Sequence, residues 1–176
     1  LTEQDFDTAI NNSFSLMGSI SYADRIYLFE NDYNEQTDEW FMTQTFEWVR
    51  GGITKQINNT VLQRLNYSDS NPRWRDIMLK KGFINELVKD LPADERAVLE
   101  PQEIRAILAV PIYLQNEWWG FIGFDNCTSE KKYSTAEESM LQSAATAIGG
   151  AIQREKTNRQ LYEAKTKAEE MNRLKS

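Results

Sequence analysis

The stretch Gln102–Cys127, QEIRAILAVPIYLQNEWWGFIGFDNC, constrains this chain more than any other. Ile104, Ala106, Leu108, Val110 and Ile112 alternate onto one face of an extended arm, and Arg105, Ile107, Ala109 and Tyr113 onto the other. Both faces are mostly apolar, which a strand tolerates only when it is covered on both sides. Gln115-Asn116 suits a tight turn, because Asn accepts a left-handed backbone. Trp118–Phe124 returns as a second arm rich in aromatic and β-branched residues, with Gly120 and Gly123 marking a bulge or a close approach. Ser134–Lys175 then reads as one long helix, so a buried hairpin feeds directly into an outgoing rod.

The remaining elements follow in order. Thr2-x-x-Asp5 opens a helix with Phe6, Ile10, Phe14 and Met17 on one side, ending at Gly18. Asp24–Glu30 is a strand, Asn31–Asn34 a turn, and Glu39–Val49 the returning strand, closed by Gly51-Gly52. Ile57, Val61, Leu62 and Leu65 give helical spacing to Gln56–Tyr67. A short helix follows Pro72 through Trp74, Ile77 and Met78, with Gly82 as its C-cap. Phe83–Val88 is an edge strand, and Pro92–Glu95 starts another short helix that ends before Pro101. Strands that pair locally as hairpins with helices on their faces make an α+β domain built on an antiparallel sheet, with a long C-terminal helix.

In that helix, Leu141, Ala144, Ala145, Ile148, Ala151 and Ile152 form a stripe suited to the sheet. Beyond Arg154 a weaker heptad-like seam runs through Leu161, Ala164, Ala168 and Met171. Gly149-Gly150 costs helix propensity, about 1 kcal/mol per residue, which a close helix–helix contact in a dimer would offset. The chain therefore divides into a domain over residues 1–154 and a helical linker over 155–176, with a homodimer through the terminal helices as the expected assembly. It starts at Leu1 and stops inside a helix, as a piece of a larger protein would.

Composition removes several functions. With 27 Asp+Glu against 20 Lys+Arg, no basic face for nucleic acid is expected. No apolar run reaches the ~20 residues of a membrane span, and no signal peptide opens the chain. One Cys fits a reducing compartment, so a cytoplasmic location is expected, with any anchor lying elsewhere in the parent. The chain has no His, which excludes Ser-His-Asp and Cys-His triads, most zinc sites and a phosphoacceptor His in this segment. Neither a catalytic residue nor a metal site is expected.

Several motifs together resemble a GAF domain of the kind found in bacterial two-component sensor histidine kinases. They are FEWVRGGI (Phe46–Ile53); Trp74, Leu79 and Gly82 of W-x-x-x-x-L-x-x-G; LPADERAVLEPQEI (Leu91–Ile104); and AVPIYLQNEWWGFIGFDNC (Ala109–Cys127), with Asn126 where the family usually has Asp. AEESMLQSAATAIGGAIQR (Ala136–Arg154) is similar to the family's outgoing helix, and AKTKAEEMNRLKS (Ala164–Ser176) to the linker preceding the phosphoacceptor helix of hybrid kinases. The resemblance implies a PAS-related fold and a non-catalytic sensory role. Signals would pass through Ile148, Ile152 and the seam at Leu161, Ala164, Ala168 and Met171 to a kinase core.

The resemblance also implies a ligand pocket between the sheet and the insertion Asn58–Pro101. Trp74, Met78, Phe83 and Ile84 are its candidates from the insertion, and Tyr27, Phe29, Trp48, Tyr113, Trp119 and Phe121 from the sheet. Aromatic walls suit a small planar or apolar ligand, with no cofactor specified. Periodic aromatics also make ordinary core, so a structural dimerisation module without a ligand stays open beside the sensor. Cys127 reads as a structural residue whose thiol pKa is raised by Asp125, and Asp125 as a cap for the Thr128-Ser129 turn. Glu95 reads as a first-turn acid and Arg96 as a partner for Glu100 or Asp94.

Overall fold

A computed structural model describes residues 3–176; the Thr2 end of the expected helix start lies outside them. The hairpin forms as β5 (Ala106–Leu114) and β6 (Glu117–Asn126), joined at Gln115-Asn116. The left-handed residue of that turn is Gln115 (φ 57°), not Asn116. β6 pairs antiparallel with β1 (Arg25–Asn34), β1 with β2 (Glu39–Val49), and β2 with the two-residue β3 (Leu65–Asn66). On the other side β5 pairs with the edge strand β4 (Ile84–Leu87). The six strands lie in the order β3-β2-β1-β6-β5-β4, so the hairpin and β1 occupy the interior of the sheet.

Each sheet face carries its own core. On one, α1 (Glu3–Ile20) and α5 (Thr135–Lys175) pack Ile10, Phe14, Met17, Leu141, Ala145 and Ile148 over Ile26, Leu28, Leu108, Val110, Ile122 and Phe124. On the other, α2 (Tyr67–Ser70), α3 (Pro72–Leu79) and α4 (Ala93–Leu99) cover Tyr27, Phe29, Ile107 and Phe121. At about 25 cal/mol per Å² of apolar surface, each fully buried Phe or Ile contributes roughly 1.5–3 kcal/mol. Two bulges decide which side chains belong to which face. Thr45 is skipped in the β1–β2 register, so Met42 and Gln44 face the insertion while Phe46 and Trp48 face α1. Trp119 is skipped between β5 and β6, so Trp118 joins the insertion core and Trp119 the helical one.

Several local expectations change. α1 runs through Gly18 to Ile20, because Gly18 is where the Trp48 ring crosses the helix: a Cβ there would lie 2.2 Å from the ring. Arg50 then donates to the carbonyls of Gly18, Ser21 and Ala23, closing the C-terminus of α1 and its exit turn. Asn31–Asn34 continues β1 instead of turning. The helix expected over Gln56–Tyr67 is replaced by a 3-10 turn at Thr60–Leu62 and by β3. Asn59 and Asn66 spend their side chains as local caps, and Arg64 is left-handed (φ 54°), which breaks any continuous helix. After α3 the left-handed residue is Lys81, and Gly82 follows it, donating its N–H to the Ile77 carbonyl.

The helix α5 opens with a capping box, Ser134 accepting from the Glu137 N–H and Glu137 from that of Ser134. Asn85 of β4 donates to Tyr133 O and to Glu138 Oε1, tying the start of α5 to the edge strand. Gly149 rests on β5: a Cβ would lie 2.8 Å from the Tyr113 carbonyl oxygen. Sheet contact within one chain thus explains Gly149, where a dimer contact was expected. From Lys156 onward every residue is exposed, including Leu161, Ala164, Ala168 and Met171.

Candidate functional site

Between the sheet and the insertion lies a cavity of about 30 Å³. Tyr27, Phe29, Ile107 and Phe121 form its floor, Met42 one side, and Leu62, Leu65, Trp74, Leu99 and Ile104 the cover. Phe29 and Phe121 are cross-strand neighbours with rings stacked 4.8 Å apart, and Trp74 meets Phe121 edge-on at 5.9 Å. Glycine makes this floor possible. The Tyr27 ring occupies the space above Gly123, where a Cβ would lie 2.4 Å from it.

One end of the cavity is polar. Arg25 and Asp125 are paired residues of β1 and β6, and both are fully buried. Their charges stand 3.6 Å apart, Nη1 to Oδ2, too far for a hydrogen bond. Tyr27 donates to Asp125 Oδ1 at 2.7 Å, and Arg25 Nη2 donates to Gln102 O at 2.7 Å and to Cys127 Sγ at 3.1 Å. Burial pushes the Asp125 carboxyl up to about 7, with Arg25 and Tyr27 opposing the rise. Burial works against the Arg25 charge, yet Asp125 and Cys127 hold its pKa above the ordinary value. Burial, then Asp125, pushes the Cys127 thiol up to about 11, the direction its neighbour implied. Asp125 does not cap the following turn. Asn126 and Asp24 do, accepting from the N–H groups of Cys127, Thr128 and Ser129.

A second polar cluster holds the cover down. Glu95 of α4 is buried and accepts two hydrogen bonds from Arg73 and one from Trp74 Nε1, all at 2.8–2.9 Å. Arg73 reaches on to Glu86 of β4, so one guanidinium joins α3, α4 and the sheet edge. Glu95 is therefore a tertiary fastener more than a first-turn acid, while Arg96 pairs with Glu100 at 3.8 Å.

Of the residues expected at a pocket, Trp74, Phe121, Tyr27 and Phe29 line the cavity. Met78 and Ile84 are buried in the same core, and Tyr113 packs against it with its hydroxyl donating to Met78 O. Phe83, Trp119 and Trp48 lie on the opposite face, against α1 and α5. Arg25, Gln44, Asn71 and Gln102 also line the cavity and were not anticipated. Arg25 shares the alternation of Tyr27 and Phe29, which was the signal available for it. Among the described residues no group of three His, Cys, Asp or Glu is placed to hold a metal ion.

A six-stranded antiparallel sheet, an internal cavity under a helical insertion, and terminal helices on the far face define a PAS-related α+β module. The chain belongs to the GAF domain family, whose family model matches residues 5–152. It is 43% identical over 170 residues to the methanogenesis regulatory histidine kinase FilI of Methanothrix harundinacea (strain 6Ac). That match covers 97% of this chain and 19% of the relative, so the chain spans about a fifth of it. Among solved structures, the blue-light absorbing form of the Thermosynechococcus elongatus PixJ GAF domain superposes with a TM-score of 0.71 at 14% identity, covering 92% of each chain. The photoproduct state of GAF3 from Slr1393 of Synechocystis sp. PCC6803 gives 0.68 at 17% identity, over 91% of this chain and 99% of that one. At these identities the likeness shows a shared fold.

Proposed function

We propose that this chain is the sensory and relay domain of a sensor histidine kinase, doing no catalysis itself and passing a signal through α5 to a kinase core. The observation that carries this reading is the division of α5. Its first half is seated on β5 through Leu141, Ala145, Ile148 and Gly149, and its second half leaves the sheet unbroken and exposed. A helix of this kind couples whatever moves the sheet to whatever receives its far end. Asn85 supplies the upstream link, since β4 borders the insertion and also holds Tyr133 and Glu138. The 43% identity to a regulatory histidine kinase supports a kinase parent.

The seam at Leu161, Ala164, Ala168 and Met171 completes itself in a homodimer. An exposed helix of some 20 residues is marginal alone in water, and ion pairs such as Arg159–Glu155 and Lys165–Glu169 contribute only about 0.3–0.5 kcal/mol each. A cavity of about 30 Å³ is roughly a tenth of the smallest drug-sized pockets, and the Cys127 thiol is a poor nucleophile. The limited cavity favours one competing reading, a structural dimerisation module.

Relay requires the input to favour one helix arrangement over another, typically by about 1–3 kcal/mol. The test is insertion of one residue after Lys156 in the full-length parent, which rotates the downstream helix by about 100°. Loss or inversion of stimulus-dependent autophosphorylation is expected. Unchanged output would leave the structural module as the better account.

A further inference from the structure

The polar end of the cavity has more hydrogen-bonding capacity than the protein uses. Arg25 Nε and Nη1, Asp125 Oδ2 and Gln44 Oε1 are buried without a hydrogen-bond partner among the described residues, and all three residues line the same cavity. Such groups are costly when they face nothing, and native interiors rarely leave them so. The free valences are Arg25 Nη1 and, on the opposite edge of the guanidinium, Nε, with two acceptors on Asp125 and Gln44. Above pH 7, where Asp125 is ionised, Arg25 and Asp125 oppose one another in charge, so the end as a whole suits a neutral guest. A carboxylate would stand beside Asp125 and the Gln44 oxygen, and an ammonium would face the Arg25 guanidinium. A carboxamide serves three of these atoms, its oxygen accepting from Arg25 Nη1 while its two N–H bonds point to Asp125 Oδ2 and Gln44 Oε1.

We propose that Arg25, Gln44 and Asp125 form a recognition site for the carboxamide or urea-type edge of a compact neutral molecule, whose remainder lies against Phe121, Trp74 and Leu99. The proposal rests on the sensory reading above and names the ligand chemistry for it. The space limits the guest: about 30 Å³ holds two to three water positions at roughly 10–15 Å³ each, which restricts it to one amide group with at most a small substituent. The guanidinium is fixed for the task, because Gln102 O and Cys127 Sγ hold its other nitrogen.

Acetamide is the probe, titrated into the 176-residue chain while backbone amides and the Trp74 indole N–H are followed by NMR. Saturable shifts at Arg25, Asp125 and Trp74 are expected in the millimolar range, with acetate and methylammonium weaker by about tenfold or more. Gln44→Leu preserves volume and should abolish saturation while the near-ultraviolet circular dichroism stays native. Linear, unsaturated shifts, or acetate binding as well as acetamide, would overturn the proposal. A crystal soaked in acetamide supplies a measurement independent of any variant. An amide seated between Arg25 and Asp125 supports the site, and two ordered waters retained there refute it. This binding test reads no kinase output, and the Lys156 insertion uses no amide, so either idea can fail alone.

Discussion

Gly149 and Gly150 are adjacent in α5, yet the structure gives them opposite responses to the same added methyl group. Alanine at either position gains about 0.8–1 kcal/mol of helix propensity. At Gly150 the new Cβ meets only Arg154 Nη1, the movable end of an exposed side chain, at 3.4 Å. That gain should survive nearly whole, leaving Gly150→Ala more stable by about 0.5–1 kcal/mol. At Gly149 the Cβ would lie 2.8 Å from the Tyr113 carbonyl oxygen and 3.3 Å from Ile112 Cγ2, both fixed in β5. Restoring ordinary contact lifts the helix by about 0.6 Å, and overpacking of this kind costs typically 1–3 kcal/mol. Gly149→Ala should therefore come out neutral to about 2 kcal/mol less stable. The pair differ by about 1–3 kcal/mol, or at least about 2 °C in melting temperature for a chain of this size. Thermal melts and urea titrations of both variants beside the unmodified chain decide it. Equal stabilisation by both substitutions would refute the seating of α5 on β5, and with it the physical basis of relay.

Two further outcomes follow from the buried charges. Glu95→Ala removes the acceptor for Trp74 Nε1 and one partner of Arg73, which is a third exposed and keeps Glu86. A loss of about 2–3 kcal/mol in urea unfolding is expected, below the range for fully buried pairs, and Glu95→Gln should recover roughly half. A loss under about 0.5 kcal/mol would mean that the fastener is idle. Asp125 has a folded pKa raised from 3.8 to about 7, so its contribution is fully present below pH 3.8 and is lost as pH rises through 7. Relative to Asp125→Asn, the unmodified chain should gain about 1.4 kcal/mol of stability per pH unit on acidification across that window. A stability difference that stays flat from neutral pH to pH 4 would show that Arg25 keeps the carboxylate ionised.

The hairpin and the long helix were legible because each carries its signal locally. Nine residues of β5 alternate with apolar side chains on both faces, and Ser134 and Glu137 sit at capping-box spacing before a continuous apolar stripe. The insertion was less legible. Ile57, Val61, Leu62 and Leu65 have helical spacing, but the exposed edge of β2 recruits Leu65-Asn66 as a strand, a tertiary contact that overrides periodicity. For the site the obstacle was parity. Simple alternation from Phe121 sends Trp119 into the cavity, and alternation from Gln44 sends Trp48 there; one bulge in each strand reverses both. Phe83 misleads for a simpler reason, preceding cavity-side Ile84 by one residue. Arg25 and Asp125 are a hundred positions apart, and only the β1–β6 register makes them one site.

The stretch of α5 beyond Glu155, Lys156–Lys175, is 20 residues of uninterrupted helix, about 30 Å of rigid length at 1.5 Å per residue. A shaft of that reach is a lever with its fulcrum on the Tyr113 carbonyl. Measured from Gly149, where that fulcrum lies, the arm to Lys175 is about 39 Å, so a tilt of about 5° would sweep its far tip through roughly 3.4 Å. Sub-ångström repacking around Gly149 is thereby magnified into a displacement the size of an atom at the distal end.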